Sequence, residues 1–154
     1  MSATVDAGVL LHATDESSRF HAPALRLLGD LMAGHGPLVL FWPVVFAYIR
    51  IATHPGVFDQ PLSKDHARTN MEALLDHPNV EAIGEDDSFW GAYRAAAGQV
   101  FVRGDYVAHG YLAALMRQHR VPVIWSHDRA YRRFPGITVK DPFSARTGGV
   151  LRSR

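Results

Sequence analysis

Thr4-Val5-Asp6-Ala7-Gly8-Val9-Leu10-Leu11 opens the regular structure of the chain and sets the reading of everything after it. A β-branched pair runs into an acid, and Val9, Leu10 and Leu11 follow among small residues. That pattern is a short buried strand turning directly into a helix, with Asp6 at the strand's carboxyl end. It recurs downstream. Leu38–Phe41 is a second apolar run, and Pro43 suits the first turn of a helix reaching Ala52. Val80–Ile83, the β-branched run Val121–Trp125 and Ile137–Val139 read as further strands. Between them, Leu25, Leu28 and Leu31 recur at helical spacing within Phe20–Met32, and Ser63 is placed to cap a helix running to about Asp76. Glu85, Asp86 and Asp87 start another helix at its positive end, one more extends from about Asp105 to His119, and Asp128–Phe134 is a short helical turn. Short strands alternating with amphipathic helices predict an α/β sandwich, a central mainly parallel sheet flanked by helices.

The 154 residues suffice for one domain with a sizeable core, and 47% hydrophobic with 20% charged residues is a globular composition, not a disordered one. No apolar run approaches the roughly 20 residues of a membrane span, and the start of the chain lacks a basic secretory leader, so a cytoplasmic protein without membrane attachment is expected. Without cysteine, there is no disulfide, no thiolate nucleophile and no cysteine-bound zinc. The net charge of +1 is small but uneven, with arginines at 129, 132, 133, 146, 152 and 154 concentrated at the end. Residues 1–143 are expected to form the domain and residues 144–154 a basic, flexible tail.

In a parallel α/β sheet, ligands gather at the carboxyl ends of the strands. Asp6 and Asp128 both follow strands. Carboxylates meeting there repel unless a divalent cation neutralises them, and Mg²⁺ or Mn²⁺ prefers such oxygen ligands with several waters retained. This is the logic of a metal-dependent phosphodiesterase, set against the common use of an isolated Asp as a turn or helix cap. Ser126, His127 and Asp128 hold the residue types of a hydrolase triad, but neighbours on a strand end alternate sides and cannot line up. The nine histidines show no compact zinc spacing, and Trp42, Trp90 and Trp125 read as core packing.

Five segments carry a resemblance. Val5-Asp6-Ala7-Gly8-Val9-Leu10-Leu11-His12-Ala13 is the first, and Phe41-Trp42-Pro43-Val44 with Tyr48-Ile49-Arg50-Ile51-Ala52-Thr53-His54-Pro55 the second. Val102-Arg103-Gly104-Asp105 with Leu112-Ala113-Ala114-Leu115, Ser126-His127-Asp128-Arg129 with Arg133-Phe134-Pro135-Gly136, and Asp141-Pro142-Phe143 complete the set. In order and separation they resemble the VapC-type PIN-domain toxins over about Thr4 to Phe143. The resemblance implies a PIN fold and an endoribonuclease, usually dimeric, that holds one or two Mg²⁺ or Mn²⁺ ions through clustered carboxylates and is silenced by a VapB-type antitoxin. Of the family's acids, Asp6 and Asp128 stand at matching positions and are the expected metal ligands.

The sequence also departs from the family pattern. Gly8 stands at the Asn of Asp-x-Asn, Ala47 where many members carry Glu, His109 at the Asp of Asp-Ala-His-Leu, and Ala130 at the second Asp of Asp-Arg-Asp-Phe. His109 is read either as a ligand, which shifts preference from Mg²⁺ towards Mn²⁺ or zinc, or as a residue held by Asp6 or Asp128 that fills the ion's place with hydrogen bonds. Asp105, one helical turn earlier, is read as a replacement acid or as an N-cap. Ser126 is expected to orient Asp128 or a water, and Arg103, Arg129, Arg132 and Arg133 to meet RNA phosphates, of tRNA or rRNA. The helix around Tyr48 is expected to offer a hydrophobic groove or dimer face. Two functions follow: a toxin-type metal-dependent endoribonuclease, and a weakened or inactive PIN scaffold that binds RNA or an antitoxin without cleavage.

Overall fold

The computed structural model describes residues 1–144, so the expected tail lies, apart from Ser144, outside the described residues. Five strands, β1 (Ala3–Val5), β2 (Leu38–Phe41), β3 (Val80–Ile83), β4 (Val123–Trp125) and β5 (Thr138–Lys140), form one sheet in the order β3-β2-β1-β4-β5. Every pairing is parallel; Thr4 lies opposite Val39 on one side and Ile124 on the other. β1 and β2 are buried along their whole length, which is why β2 reads as an unbroken apolar run and β1 as a short, small and β-branched one. Val5, Leu38, Leu40, Phe41 and Ile124 are wholly buried at the centre of the core.

Among the described residues six α-helices cover the sheet: α1 (Ala7–Thr14), α2 (His21–Ala33), α3 (Trp42–Ala52), α4 (Lys64–Leu75), α5 (Phe89–Ala97) and α6 (Tyr106–Gln118). A 3₁₀ turn, Arg129–Arg133, joins β4 to β5. Ser63 caps α4, its hydroxyl accepting the His66 N–H at 3.1 Å, and Pro43 lies in the first turn of α3. The chain builds outward from β1 to β2 and β3, then crosses to β4 on the other side of β1. The order therefore reverses between β1 and β4, and the crevice beyond their carboxyl ends is where such sheets bind ligands.

Several expectations are corrected. The acidic trio precedes α5 instead of occupying its first turn, because Asp86 accepts the Ser88 N–H at 2.7 Å and the Ser88 hydroxyl at 2.6 Å in a turn of its own. Trp90 and Trp42 are exposed, and Trp125 is half-buried beneath the Lys140 ammonium. Helical periodicity marks one face of α5 as apolar, yet Ala96 is its only fully buried residue.

Tyr48 itself faces the core, while the groove on its helix is lined by Trp42, Val45, Phe46 and Ile49: the Tyr48 ring is wholly buried and its hydroxyl meets Thr14 Oγ1 at 2.8 Å and the Asn70 amide at 3.0 Å. It pins α1, α3 and α4 together. Tyr48→Phe leaves both partners short of a bond in a buried setting and is expected to lower stability by about 1–2 kcal/mol, or Tm by about 2–8 °C, in a thermal melt.

Candidate active site

Asp6 follows β1 directly, and its backbone N–H donates to the Trp125 carbonyl at 3.3 Å, which holds it beside the end of β4. Its Oδ1 caps α1 by accepting the Val9 N–H at 3.0 Å. Asp128 caps the 3₁₀ turn in the same manner, Oδ1 accepting the Ala130 N–H at 2.9 Å. Capping and site-building thus coincide in both residues: the bond that anchors each carboxylate also aims it into the crevice.

Ser126, buried to 1% exposure, connects the two acids. Its hydroxyl donates to Asp6 Oδ2 and accepts the Asp128 backbone N–H at 2.9 Å. The carboxylate it orients is therefore that of Asp6, and it reaches Asp128 through the main chain. Ser126→Ala strips a donor from the half-buried Asp6 carboxylate and an acceptor from the part-buried Asp128 N–H, and a melt is expected to show a loss of about 1–2 kcal/mol.

His109, on α6, lies with Nε2 at 2.7 Å from Asp128 Oδ2 and Nδ1 at 3.3 Å from the Asp105 carbonyl. The imidazole is thus held by Asp128, on the side of the crevice where the resemblance places an acid. Tyr131, buried in the 3₁₀ turn, packs its ring 4.8 Å from that of His109. Its phenol stays protonated, pushed far up by burial and then by the charges of Asp6 and Asp128. Sequence reasoning missed Tyr131; its position three residues after Asp128, on the turn that Asp128 caps, was the available signal.

Electrostatics separate the two acids. Burial raises the Asp6 carboxyl above the usual carboxylate range, the Ser126 and Val9 bonds oppose this, and the Asp128 charge adds to it. Asp128, half-exposed, is also pushed up by burial but ends lower than usual because the Ala130 N–H, His109 and Arg133 outweigh it. A cavity of about 350 Å³ opens in front of Asp6 and Asp128, walled by Leu11, His12, Ile51 and His127. Gly8 keeps its floor clear, since a Cβ there would lie 3.3 Å from Asp6 Oδ1.

Asp105 joins neither acid. It is exposed at the N-cap position of α6 without a capping bond, because the Tyr106 and Val107 N–H groups already donate to the Arg103 and Gly104 carbonyls at 3.2 and 3.0 Å. Only its own carbonyl meets His109. Arg133 differs from the other three arginines: its guanidinium donates to the carbonyls of Ala130 and Phe101, each at 3.1 Å, and lies 3.7 Å over the Tyr106 ring. It ties the segment before α6 to the 3₁₀ turn. Arg103, Arg129 and Arg132 are exposed.

Among the described residues no three His, Asp or Glu side chains converge into a metal-holding group. Two carboxylates do converge, and each of their oxygens accepts one hydrogen bond, which leaves a lone pair free. That donor set fits a hard divalent ion that keeps most of its water.

No family model matches the chain. Ribonuclease VapC48 of Mycobacterium tuberculosis is 44% identical to it over 144 residues, covering 94% of this chain and 99% of the relative. The chain belongs to the VapC ribonuclease family. Solved VapC structures share the fold at much lower identity. VapC20 of Mycobacterium tuberculosis, described as a sarcin-ricin loop cleaving toxin, superposes with TM-score 0.61 at 13% identity over 84% of this chain and 92% of its own. VapBC2 of Rickettsia felis, solved on a DNA fragment from its promoter, gives TM-score 0.57 at 13% identity, covering 91% and 98%. The VapC resemblance and the parallel α/β sandwich both hold, and the ends of β1 and β4, which carry the first and fourth segments, meet at the candidate site. Among the described residues no helix is long and apolar enough to cross a membrane.

Proposed function

We propose that this VapC-family protein is the toxin of a VapBC-type pair, an endoribonuclease that hydrolyses RNA phosphodiester bonds in tRNA or rRNA. The observation that carries the reading is the convergence of Asp6 and Asp128, with Ser126 bonded to both residues, at the β1–β4 switch point in front of an open cavity. Asp6 and Asp128 would hold Mg²⁺ or Mn²⁺, as one or two ions. A bound ion of this kind supplies Lewis-acid stabilisation of the phosphoryl charge and a water nucleophile at neutral pH. Ser126 keeps the Asp6 carboxylate aimed at the cavity. Tyr131 backs the His109 ring from the 3₁₀ turn. Arg103, Arg129 and Arg132 line up phosphates without reading sequence, while Arg133 acts mainly by bracing the 3₁₀ turn.

The partner is a VapB-type antitoxin, and the active form is a cytoplasmic homodimer; Trp90 and Phe101, 67% and 66% exposed, offer apolar surface for such contacts. One observation favours the second reading, a weakened scaffold that binds RNA or antitoxin without cutting: the His109 ring occupies Asp128 Oδ2. Incubating purified protein with a mixed tRNA and rRNA pool in Mg²⁺, Mn²⁺ or EDTA separates the two. Discrete cuts in Mg²⁺ or Mn²⁺ that vanish in EDTA are expected. Intact RNA under both ions, from protein that still binds it, establishes the scaffold.

A further inference from the structure

Beside the two acids lies a cluster of four rings that the chemistry above does not use. Phe20 and Phe143 stack at 4.4 Å and 12°. His12 stands edge-on to both, at 5.2 and 5.3 Å, and His127 packs against both at 5.2 and 5.7 Å. The two histidines also wall the cavity that contains Asp6 and Asp128. Each is anchored on its far side: His12 Nδ1 to the Ser18 hydroxyl at 2.8 Å, and His127 Nδ1 to the Asp141 carboxylate at 3.0 Å. Asp141 in turn accepts the Phe143 N–H at 2.9 Å, so the tether of the imidazole and the seat of the ring behind it are one unit.

The burial pattern is informative. Asp141 is 15% exposed, whereas His127, held by that carboxylate and backed by two phenyl rings, keeps 52% of its side chain open. Packing alone explains the Phe20–Phe143 stack, which fastens the segment after β5 to the α1–α2 connection. It does not explain why an immobilised ring is left uncovered at the mouth of an acidic cavity. A flat, fixed, uncovered ring beside the point of phosphate chemistry is what an unpaired nucleobase stacks on, and such stacking tolerates any base. Arg19, whose guanidinium lies 4.6 Å over Phe20, puts a positive charge at the outer edge of the cluster, where the nucleic-acid backbone would pass.

We infer that His127, held by Asp141 and backed by Phe20 and Phe143, is the stacking platform for an unpaired base next to the phosphate at Asp6 and Asp128. This rests on the ribonuclease reading and adds to it a positioning surface: once the base is stacked, the phosphate is delivered to the carboxylates in a fixed orientation.

The test uses the full chain in EDTA, titrated into a short single-stranded oligoribonucleotide carrying 2-aminopurine, whose fluorescence is quenched by stacking. His127→Asn retains a hydrogen-bonding side chain near Asp141 but no ring; His127→Phe retains the ring. Wild type and His127→Phe are expected to quench the probe on binding, and His127→Asn to bind about tenfold more weakly without quenching. Thermal melts of both variants separate stacking from a purely structural role, which would move Tm and not the quench. Equal quenching by His127→Asn, or binding by wild type without quenching, overturns the platform, while cleavage of the RNA pool continues to support the ribonuclease. If wild type neither binds the oligomer nor cuts the pool, both readings fall.

Discussion

Asp6→Asn is expected to reduce metal-dependent RNA cleavage by at least about a hundredfold and, in the same protein, to raise the melting temperature in EDTA. The activity loss follows from removing one of two carboxylates that would hold the ion, whose stabilisation of phosphoryl charge amounts to several kcal/mol, at about 1.4 kcal/mol per tenfold in rate. The stability gain follows from the direction of the Asp6 shift. Burial raises its carboxyl in the folded chain, so folding favours the protonated form and works against ionisation of this group. Asparagine is isosteric, caps helices as well as aspartate does, and keeps Oδ1 for the Val9 N–H, while its Nδ2 takes the place of Oδ2 and donates to the Ser126 hydroxyl oxygen instead of accepting from it. The charge is removed and the Ser126 bond is reversed, while the helix cap stays. Asp6→Ala would mix this with the loss of a cap, so the Asn variant is the cleaner measurement. A variant that is less stable than wild type in EDTA, or that still cuts in Mg²⁺, contradicts this account of Asp6.

His109→Asp is expected to have the second large effect. It replaces an imidazole that donates to Asp128 Oδ2 at 2.7 Å by a second carboxylate facing the same oxygen. Two unit charges at about 4 Å interact by roughly 4 kcal/mol at an effective dielectric of about 20, with the sign set by what lies between them. In EDTA the pair repels and Tm falls. With Mg²⁺ or Mn²⁺ added, the repulsion becomes attraction to the ion, and Tm recovers with ion concentration, since a ligand that binds only the folded chain stabilises it by mass action. The ion should bind at least about tenfold more tightly than to wild type, measured by calorimetric titration. Unchanged ion affinity would show that His109 is not what limits the site, and that Ala130 or Ala47 is the deficit that matters.

Much of this architecture is legible in the chain. β2 is an unbroken apolar run and β1 a small, β-branched one because both of their faces are covered, whereas the edge strand β3 carries the exposed Glu81; the strand ends bearing Asp6 and Asp128 follow from that pattern. The caps at Asp6 and Ser63 follow from local hydrogen-bonding chemistry that needs no distant partner. Expectations failed where the deciding partner is elsewhere in the fold. Trp90 has a core residue's hydrophobicity and lies on the open side of α5, since periodicity identifies a face and not what covers it. Asp105 has an N-cap's identity and position, but a preceding turn gives it a helical backbone and already takes the Val107 N–H it could have capped. Arg133 counts as one more cation in the sequence, although its guanidinium is committed to two carbonyls and a ring.

What the sequence determined by itself is the order of short strands and helices, the parallel α/β class, and two carboxylates at strand ends, because each depends on local periodicity and on groups a few residues apart. The tertiary structure alone decided which of its polar residues share one site. Ser126 is 120 positions from Asp6, and His109 is 19 from Asp128, so their bonds exist only because β1 and β4 lie side by side and α6 packs against the 3₁₀ turn. The same holds for the His12–Phe20–His127–Phe143 cluster, whose members come from both ends of the chain. Contacts between distant residues are set by which strands pair and which helix faces meet, and no local pattern records that choice.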